Sequence, residues 1–341
     1  MPTSGQKISQ EYFNSLIDSV NELYGDTHAG EGPSSSPSVQ DAIRWGWGGD
    51  NVDQVSQGDK VTASLTNELV HRINISTLRT NSTDQELVVV ARGDKITADF
   101  FNTATDLLDG ARNLRNTVDP AFTELSTIGN YPSSTEWTNR FEIELDYDFG
   151  SYEDARYFFN AGGDLRFSFS LTGGYGAGYS TWCCIFDDMG TVKLDVGTAV
   201  SLNNRGISQN IGLSELTNTY QLLYTSPAGQ NGGGYGGYGG YCGYGGYGGY
   251  GGYGGYCGYG GYGGYGGYGG YSSSRAKLYA KIDGDKLVIK WLLDHSAMAT
   301  LVRGNLNLIA SMIHPTDVSE STLTLTLPEP TITIRSNWHE I

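Results

Sequence analysis

The side chains that could do chemistry fall into three groups: close carboxylates, scattered histidines with a few cysteines, and a long array of tyrosines. Asp146/Asp148 and the adjacent Asp187-Asp188 are the pairs that glycoside cleavage or a Ca²⁺ site would use. Asp146 and Asp148 alternate with aromatic residues, however, which is how the solvent face of a strand reads. The histidines, His28, His71, His295, His314 and His339, are dispersed, and none stands in an H-E-x-x-H or Cys/His metal spacing. There is no G-x-S-x-G elbow and no P-loop, and Gly93-Asp-Lys lacks the preceding strand and loop that a phosphate cradle needs. Cys183-Cys184, within the apolar run Trp182–Phe186, reads as a buried strand pair with one residue on each face. Asn74-Ile-Ser and Asn81-Ser-Thr match glycosylation sequons, which matter only on a secretory route. No catalytic, cofactor or metal residue is assigned, and a non-enzymatic protein is expected.

The tyrosines are the strongest signal. Residues 232–271 repeat Gly-Gly-Tyr and hold 25 Gly, 13 Tyr and 2 Cys, with no charge between Glu215 and Arg275. Tyr235, Tyr238, Tyr241, Tyr244, Tyr247, Tyr250, Tyr253, Tyr256, Tyr259, Tyr262, Tyr265, Tyr268 and Tyr271 recur every third residue. A period of three fits neither a helix at 3.6 nor a strand at 2. It fits a threefold polyproline-II-type helix, with every Tyr on one edge and bare glycine backbone on the other two. A flexible linker is the plain alternative, but tyrosine supplies contact area at low entropic cost, as recognition surfaces require. The array is therefore read as an interaction surface. A single reversal near Tyr250 would bring Cys242 and Cys257 face to face as a possible crosslink.

Composition limits the classes. A chain of 341 residues has room for two cores. Its net charge of −16 offers no basic patch for nucleic acid. No run of 18 apolar residues suggests membrane insertion. The polar stretch Met1–Lys7 does not read as a signal peptide, so synthesis in a cytoplasm is expected. The four cysteines form no disulfide framework.

Two kinds of element must position these residues. Residues 1–130 carry an internal repeat: Gly5-Gln-Lys-Ile-Ser9, Gly58-Asp-Lys-Val-Thr62 and Gly93-Asp-Lys-Ile-Thr97. Each phrase opens a helical pattern, capped by Ser9, Thr62 or Thr97, with asparagine at one shared offset, Asn14, Asn67 and Asn102. Residues 30–37 read as a loop and Trp45-Gly-Trp47-Gly-Gly as a turn. Three short helices bury little, so this part is expected to attach to other chains or dock on the remainder. Residues 131–341 alternate as strands, for example Phe141, Ile143, Leu145, Tyr147 and Leu165, Phe167, Phe169, Leu171. Further strands are expected at 191–202, 219–226, 276–282, 286–293, 305–313, 321–327 and 331–335, with a hairpin at Asp283-Gly284. Ser151-Tyr-Glu-Asp154 is a capping box for one short helix that closes at Gly162-Gly163. The expected fold is α+β: short-helix repeats over 1–130, then an antiparallel β-sandwich over 131–341, interrupted by the Gly-Gly-Tyr insertion at 227–274.

Several of these phrases are similar to virion structural proteins of marine T4-like tailed phages. The resemblance is carried by the Gly-Asp-Lys-Ile-Thr helix openings with their asparagine and by Ala155-Arg-Tyr-Phe-Phe-Asn-Ala-Gly-Gly-Asp-Leu-Arg-Phe-Ser168 followed by Thr172-Gly-Gly174. Lys277-Leu-Tyr-Ala-Lys-Ile with Leu287-Val-Ile-Lys-Trp-Leu-Leu-Asp294 extends it over most of the chain outside the repeat. The Gly-Gly-Tyr insertion departs from that pattern and resembles the glycine-rich tips of some phage adhesins. The resemblance implies a non-enzymatic virion component of the tail, fibre or baseplate region, forming a homo-oligomer, with a trimer favoured. Residues 1–130 would bind other virion proteins, and the Tyr array would bind a host surface polysaccharide or outer-membrane protein or glue neighbouring subunits. A self-associating extracellular matrix protein and a fibre-borne depolymerase are the competing expectations.

Overall fold

The computed structural model describes residues 8–25, 46–228, 274–296, 300–320 and 323–341. It shows a mixed helix-and-sheet fold of the α+β kind, with antiparallel sheets. Among the described residues, no helix is long and apolar enough to cross a membrane.

Three capped helices form the first layer: α1 (Gln10–Tyr24), α2 (Ala63–Thr80) and α3 (Ala98–Asn113). Ser9, Thr62 and Thr97 each accept the amide hydrogen three residues on, from Tyr12, Leu65 and Phe100, as the repeated phrase requires. The Gly-Asp-Lys phrase itself is a turn. Gly58 and Gly93 adopt φ of +97° and +100°, a region that only glycine enters freely. Asp59 and Asp94 close the turn by accepting the backbone N–H of Ser56 and Ala91, each at 2.7 Å. That role, and not phosphate binding, accounts for the phrase.

The helices bury Phe13, Ile17, Val20, Leu69, Ile73, Phe101, Ala104 and Leu108 against one another. Their core also takes in Val318 and Leu325, from β11 (Val318–Glu320) and β12 (Leu323–Leu325), together with Leu327. Val318, Leu325 and Leu327, expected within the β part, thus complete the helical core, which three short helices could not fill. Trp47 joins the two regions. It is fully buried, its indole N–H donates to the carbonyls of Arg115 and Asn160, and the Arg79 guanidinium lies over its ring. Trp45 and residues 30–37 lie outside the described residues.

The boundary expected at residue 130 falls inside the first strand, β1 (Thr123–Ser133). One five-stranded sheet has the order β1-β10-β3-β4-β5, built from β1, β3 (Asp164–Thr172), β4 (Val192–Leu194), β5 (Ala199–Ser201) and β10 (Asn305–Pro315). A six-stranded sheet has the order β13-β2-β9-β8-β7-β6, built from β2 (Arg140–Asp148), β6 (Ile207–Ser208), β7 (Gln221–Thr225), β8 (Arg275–Asp283), β9 (Lys286–Asp294) and β13 (Thr331–Glu340). The alternating residues of β2 pair in register with β9, Phe141 opposite Leu293 and Ile143 opposite Trp291, so one face is apolar throughout. That face meets the other sheet through Tyr147 on Phe167 and Trp291 on Phe167 and Phe169. The hairpin between β8 and β9 turns at Gly284, whose φ of +63° suits the first position of a two-residue loop.

The outer face of the six-stranded sheet is ionic. Lys286 pairs with Asp148 and Arg140 with Asp294 across the ladder. Asp146, expected on a solvent face, keeps only 8% of its surface because Arg335 of the edge strand β13 lies against it at 2.6 Å.

Two helices pack on the sheets. In α4 (Tyr152–Asn160), Ser151 accepts from the Asp154 N–H, and the end is a Schellman motif, Gly163 to Phe158 and Gly162 to Phe159. The fifth, α5 (Gly176–Met189), corrects the strand reading of Cys183-Cys184. Its buried residues Trp182, Cys183, Ile185, Phe186 and Met189 follow helical spacing, so the two thiols lie on adjacent positions of one helix. Cys183 is buried, Cys184 is half-buried, and neither is in a disulfide.

Candidate functional site

The tyrosines Tyr235 to Tyr271, and with them Cys242 and Cys257, lie outside the described residues. What the structure does give is the mount on which that stretch begins and ends. The strands on either side of it, β7 and β8, are antiparallel neighbours, with Thr225 opposite Lys277 and Tyr224 opposite Leu278. The pairing continues one step past β7: the Ser226 N–H donates to the Ala276 carbonyl at 2.8 Å, and the Ala276 N–H donates to Ser226 Oγ at 2.9 Å. Both ends of the insertion therefore leave from one point of the sheet.

A buried histidine pins that point. Ser274 is fully buried, and its Oγ lies 2.9 Å from His295 Nδ1. Trp182 of α5 donates its indole N–H to the same nitrogen at 3.2 Å. The other ring nitrogen, Nε2, sits 2.9 Å from the Thr300 carbonyl, which can only accept. These partners require the neutral tautomer with hydrogen on Nε2, and burial pushes the His295 pKa down in agreement. A serine next to a histidine has the outline of a nucleophile and its base. Here both are sealed from solvent and the far nitrogen meets a carbonyl instead of a carboxylate, so the pair works as a staple between β8, the end of β9 and α5.

A cleft of about 550 Å³ lies where the helical and β parts meet, lined by Asp164, Arg166, Lys193 and Asp195 among others. Its charges are engaged in pairs. Arg166 binds Asp164 through two nitrogens at 2.7 and 3.0 Å, and Lys193 pairs with Asp195 at 2.7 Å. Asp195 also accepts the Gly197 and Thr198 amides, which shapes the following loop. Among the described residues, no group of three or more potential ligands is placed to hold a metal ion.

The second feature is on the helices. Two of the three repeated asparagines, Asn14 and Asn67, turn out to hold extended backbone. Asn14 accepts from the Val55 N–H at 2.9 Å and donates to the Val55 carbonyl at 3.0 Å. Asn21, one heptad later, does the same for Val52, at 2.8 and 2.9 Å. On α2, Asn67 clamps Val90 at 2.7 and 3.1 Å, and Asn74 clamps Leu87 at 2.9 and 3.0 Å. The spacing has a simple origin. Seven helical residues rise about 10.5 Å, and three extended residues span about 10 Å, so amides seven apart on one meet backbone units three apart on the other. Each clamped segment leads into the next Gly-Asp-Lys turn and the next helix cap. Asn74, which matches a sequon, is buried, and beside the clamp its amide nitrogen also donates to Glu320 Oε1 at 3.1 Å.

Sequence reasoning noted Asn14, Asn67 and Asn102 but not their partners; it passed over Asn21 and Ser274, and took Asn74 only as a sequon, Trp182 only as part of an apolar run and His295 only as one of five dispersed histidines. A signal for the clamps was present: Val52-x-x-Val55-x-x-Gly58 and Leu87-x-x-Val90-x-x-Gly93 share one spacing. No family model matches this chain, and no curated protein or solved structure matches it either.

Proposed function

We propose that this chain is a non-enzymatic structural protein of a bacteriophage particle, built into its tail, fibre or baseplate region. The two facing sheets are read as a sandwich whose task is to present the Gly-Gly-Tyr stretch. The observation that carries this reading is the mount. Ser226 and Ala276 are hydrogen-bonded neighbours, and Ser274 is pinned by buried His295, so the insertion starts and finishes on a fixed base. A fixed base suits a displayed element better than a tether between separate bodies, which has no need for paired ends. The tyrosines would then stack on and hydrogen-bond to a host surface polysaccharide or outer-membrane protein, or pack against neighbouring subunits in a closed trimer. Residues 1–130 would hold the protein to other virion components.

The test replaces residues 232–271 with a four-residue Gly/Ser turn in the phage genome, followed by particle counts in the electron microscope and adsorption to host cells. Intact particles that fail to adsorb identify a receptor-binding element, whereas particles that lack the protein or fall apart identify an assembly contact. Intact particles with full adsorption would refute the display role.

A further inference from the structure

Aligned on their caps Ser9, Thr62 and Thr97, the three helices repeat one arrangement with a missing part. Five residues after the cap stand Asn14, Asn67 and Asn102, and twelve residues after it stand Asn21, Asn74 and Asp109. The first two helices each grip an extended segment at both positions. On α3, Asn102 Oδ1 is sealed from water and receives no hydrogen bond. A buried amide carbonyl in that state is a cost to the fold unless a donor reaches it. The fault is specific to the third copy, since the equivalent oxygens of Asn14 and Asn67 are both satisfied by a valine N–H.

A count shows why the chain does not fill this position. The phrase Val/Leu-x-x-Val-x-x-Gly-Asp-Lys occurs twice in the 341 residues, and both copies are already gripped. Ahead of the first repeat, the matching place before Gly5 is held by Pro2, which has no N–H to give. Three clamps and two segments per chain leave one clamp over, however many copies associate. We infer that Asn102 and Asp109 form a third clamp on α3 that takes an extended segment from a different protein.

The chemistry of the row describes that segment. On α1, Asp18 stands between the two clamps and accepts from Gln54, the residue before the clamped Val55, at 2.6 Å. Asp106 holds that place on α3, and Asp109 replaces the second asparagine, so two carboxylates line a row that on α2 holds His71 and Asn74. Asp109 is 56% exposed and is paired with Arg112 of its own helix. It can accept a backbone N–H but has none to donate. The partner is therefore an extended stretch with apolar residues three apart and a lysine or arginine just before the second, lying antiparallel to α3.

This refines the attachment role proposed for residues 1–130. Its test uses the purified full chain and a peptide, so it stands or falls apart from the particle assay. The probe is the acetylated peptide Val-Asp-Lys-Val-Ser-Gln-Gly-Asp-Lys, which is the chain's own residues 52–60 carrying Gln54→Lys. In ¹⁵N spectra the Asn102 side-chain amide, identified by its absence in Asn102→Leu, is expected to shift saturably while those of Asn14 and Asn67 stay in place. Asn102→Leu, or methylation of the second valine nitrogen in the peptide, should weaken binding about tenfold or more. The free chain should melt no lower with Asn102→Leu than without it, since an unpaired buried oxygen is removed, and at a lower temperature with Asn67→Leu. An Asn102 amide that does not move at millimolar peptide overturns the inference. So does an Asn102→Leu variant as unstable as Asn67→Leu, because the clamp would then be filled from within.

Discussion

The helical and β regions hold extended backbone in two different ways. In the β region, strands such as β2, β9 and β8 satisfy one another through nine-residue ladders, and no single side chain decides the pairing. In the helical region, the segments at 52–55 and 87–90 lie against helices, which have no free backbone to offer, so asparagine amides supply the donor and acceptor instead. A ladder is redundant and a clamp is not. One region should therefore fail gradually by loss of packing, and the other abruptly at single polar residues.

The comparison breaks first in the β core. Trp291 is fully buried between Phe167 and Phe169, and Trp291→Ala should cost about 3–5 kcal/mol, read as a lower denaturation midpoint. Its effect should be global, reaching amides in both sheets by hydrogen exchange. Asn74→Leu should cost about 2–3 kcal/mol, since it leaves the Leu87 N–H and carbonyl unpaired in a buried site. Here the loss should be local: amides near Leu87 and Val90 exchange faster while β2 and β9 keep their protection. Equal loss of protection in both regions would end the distinction. Thr97→Ala removes one cap and should cost about 1 kcal/mol, seen as fraying at the start of α3.

The smallest effect near neutral pH concerns the mount. Burial lowers the pKa of His295, so below the ordinary histidine value of about 6.5 the unfolded chain binds a proton that the folded one resists. Stability should thus be intact at neutral pH and fall as pH drops through and below that value. His295→Gln should flatten this slope when unfolding is followed across pH. His314, also lowered by burial, contributes a slope of the same sign. A slope unchanged by the substitution would mean that His295 does not hold the mount.

Much of this was legible because the controlling physics is local. Ser9, Thr62, Thr97 and Ser151 act as caps within three residues of themselves, and the strand alternation of β2, β3 and β9 follows from a side-chain period of two. β1 was hidden because it is an edge strand. Its Pro132 and the register break between Thr127 and Gly129 are tolerated there, and Leu125 stays 61% exposed. Cys183-Cys184 misled because five apolar residues in a row do not separate a strand from a buried helix, whereas the wider spacing from Trp182 to Met189 does.

By itself the sequence determined the caps, the Gly-Asp-Lys turns, the alternating strands and the period of the tyrosine array, all set by neighbours a few residues apart. Only the tertiary structure decided that Asn14 and Asn67 hold backbone some 41 and 23 residues away, that Val318, Leu325 and Leu327 close the helical core, and that Ser226 meets Ala276 at the root of the insertion. Those partners are chosen by packing in space, and a side chain that can both donate and accept carries no mark of which distant backbone will meet it.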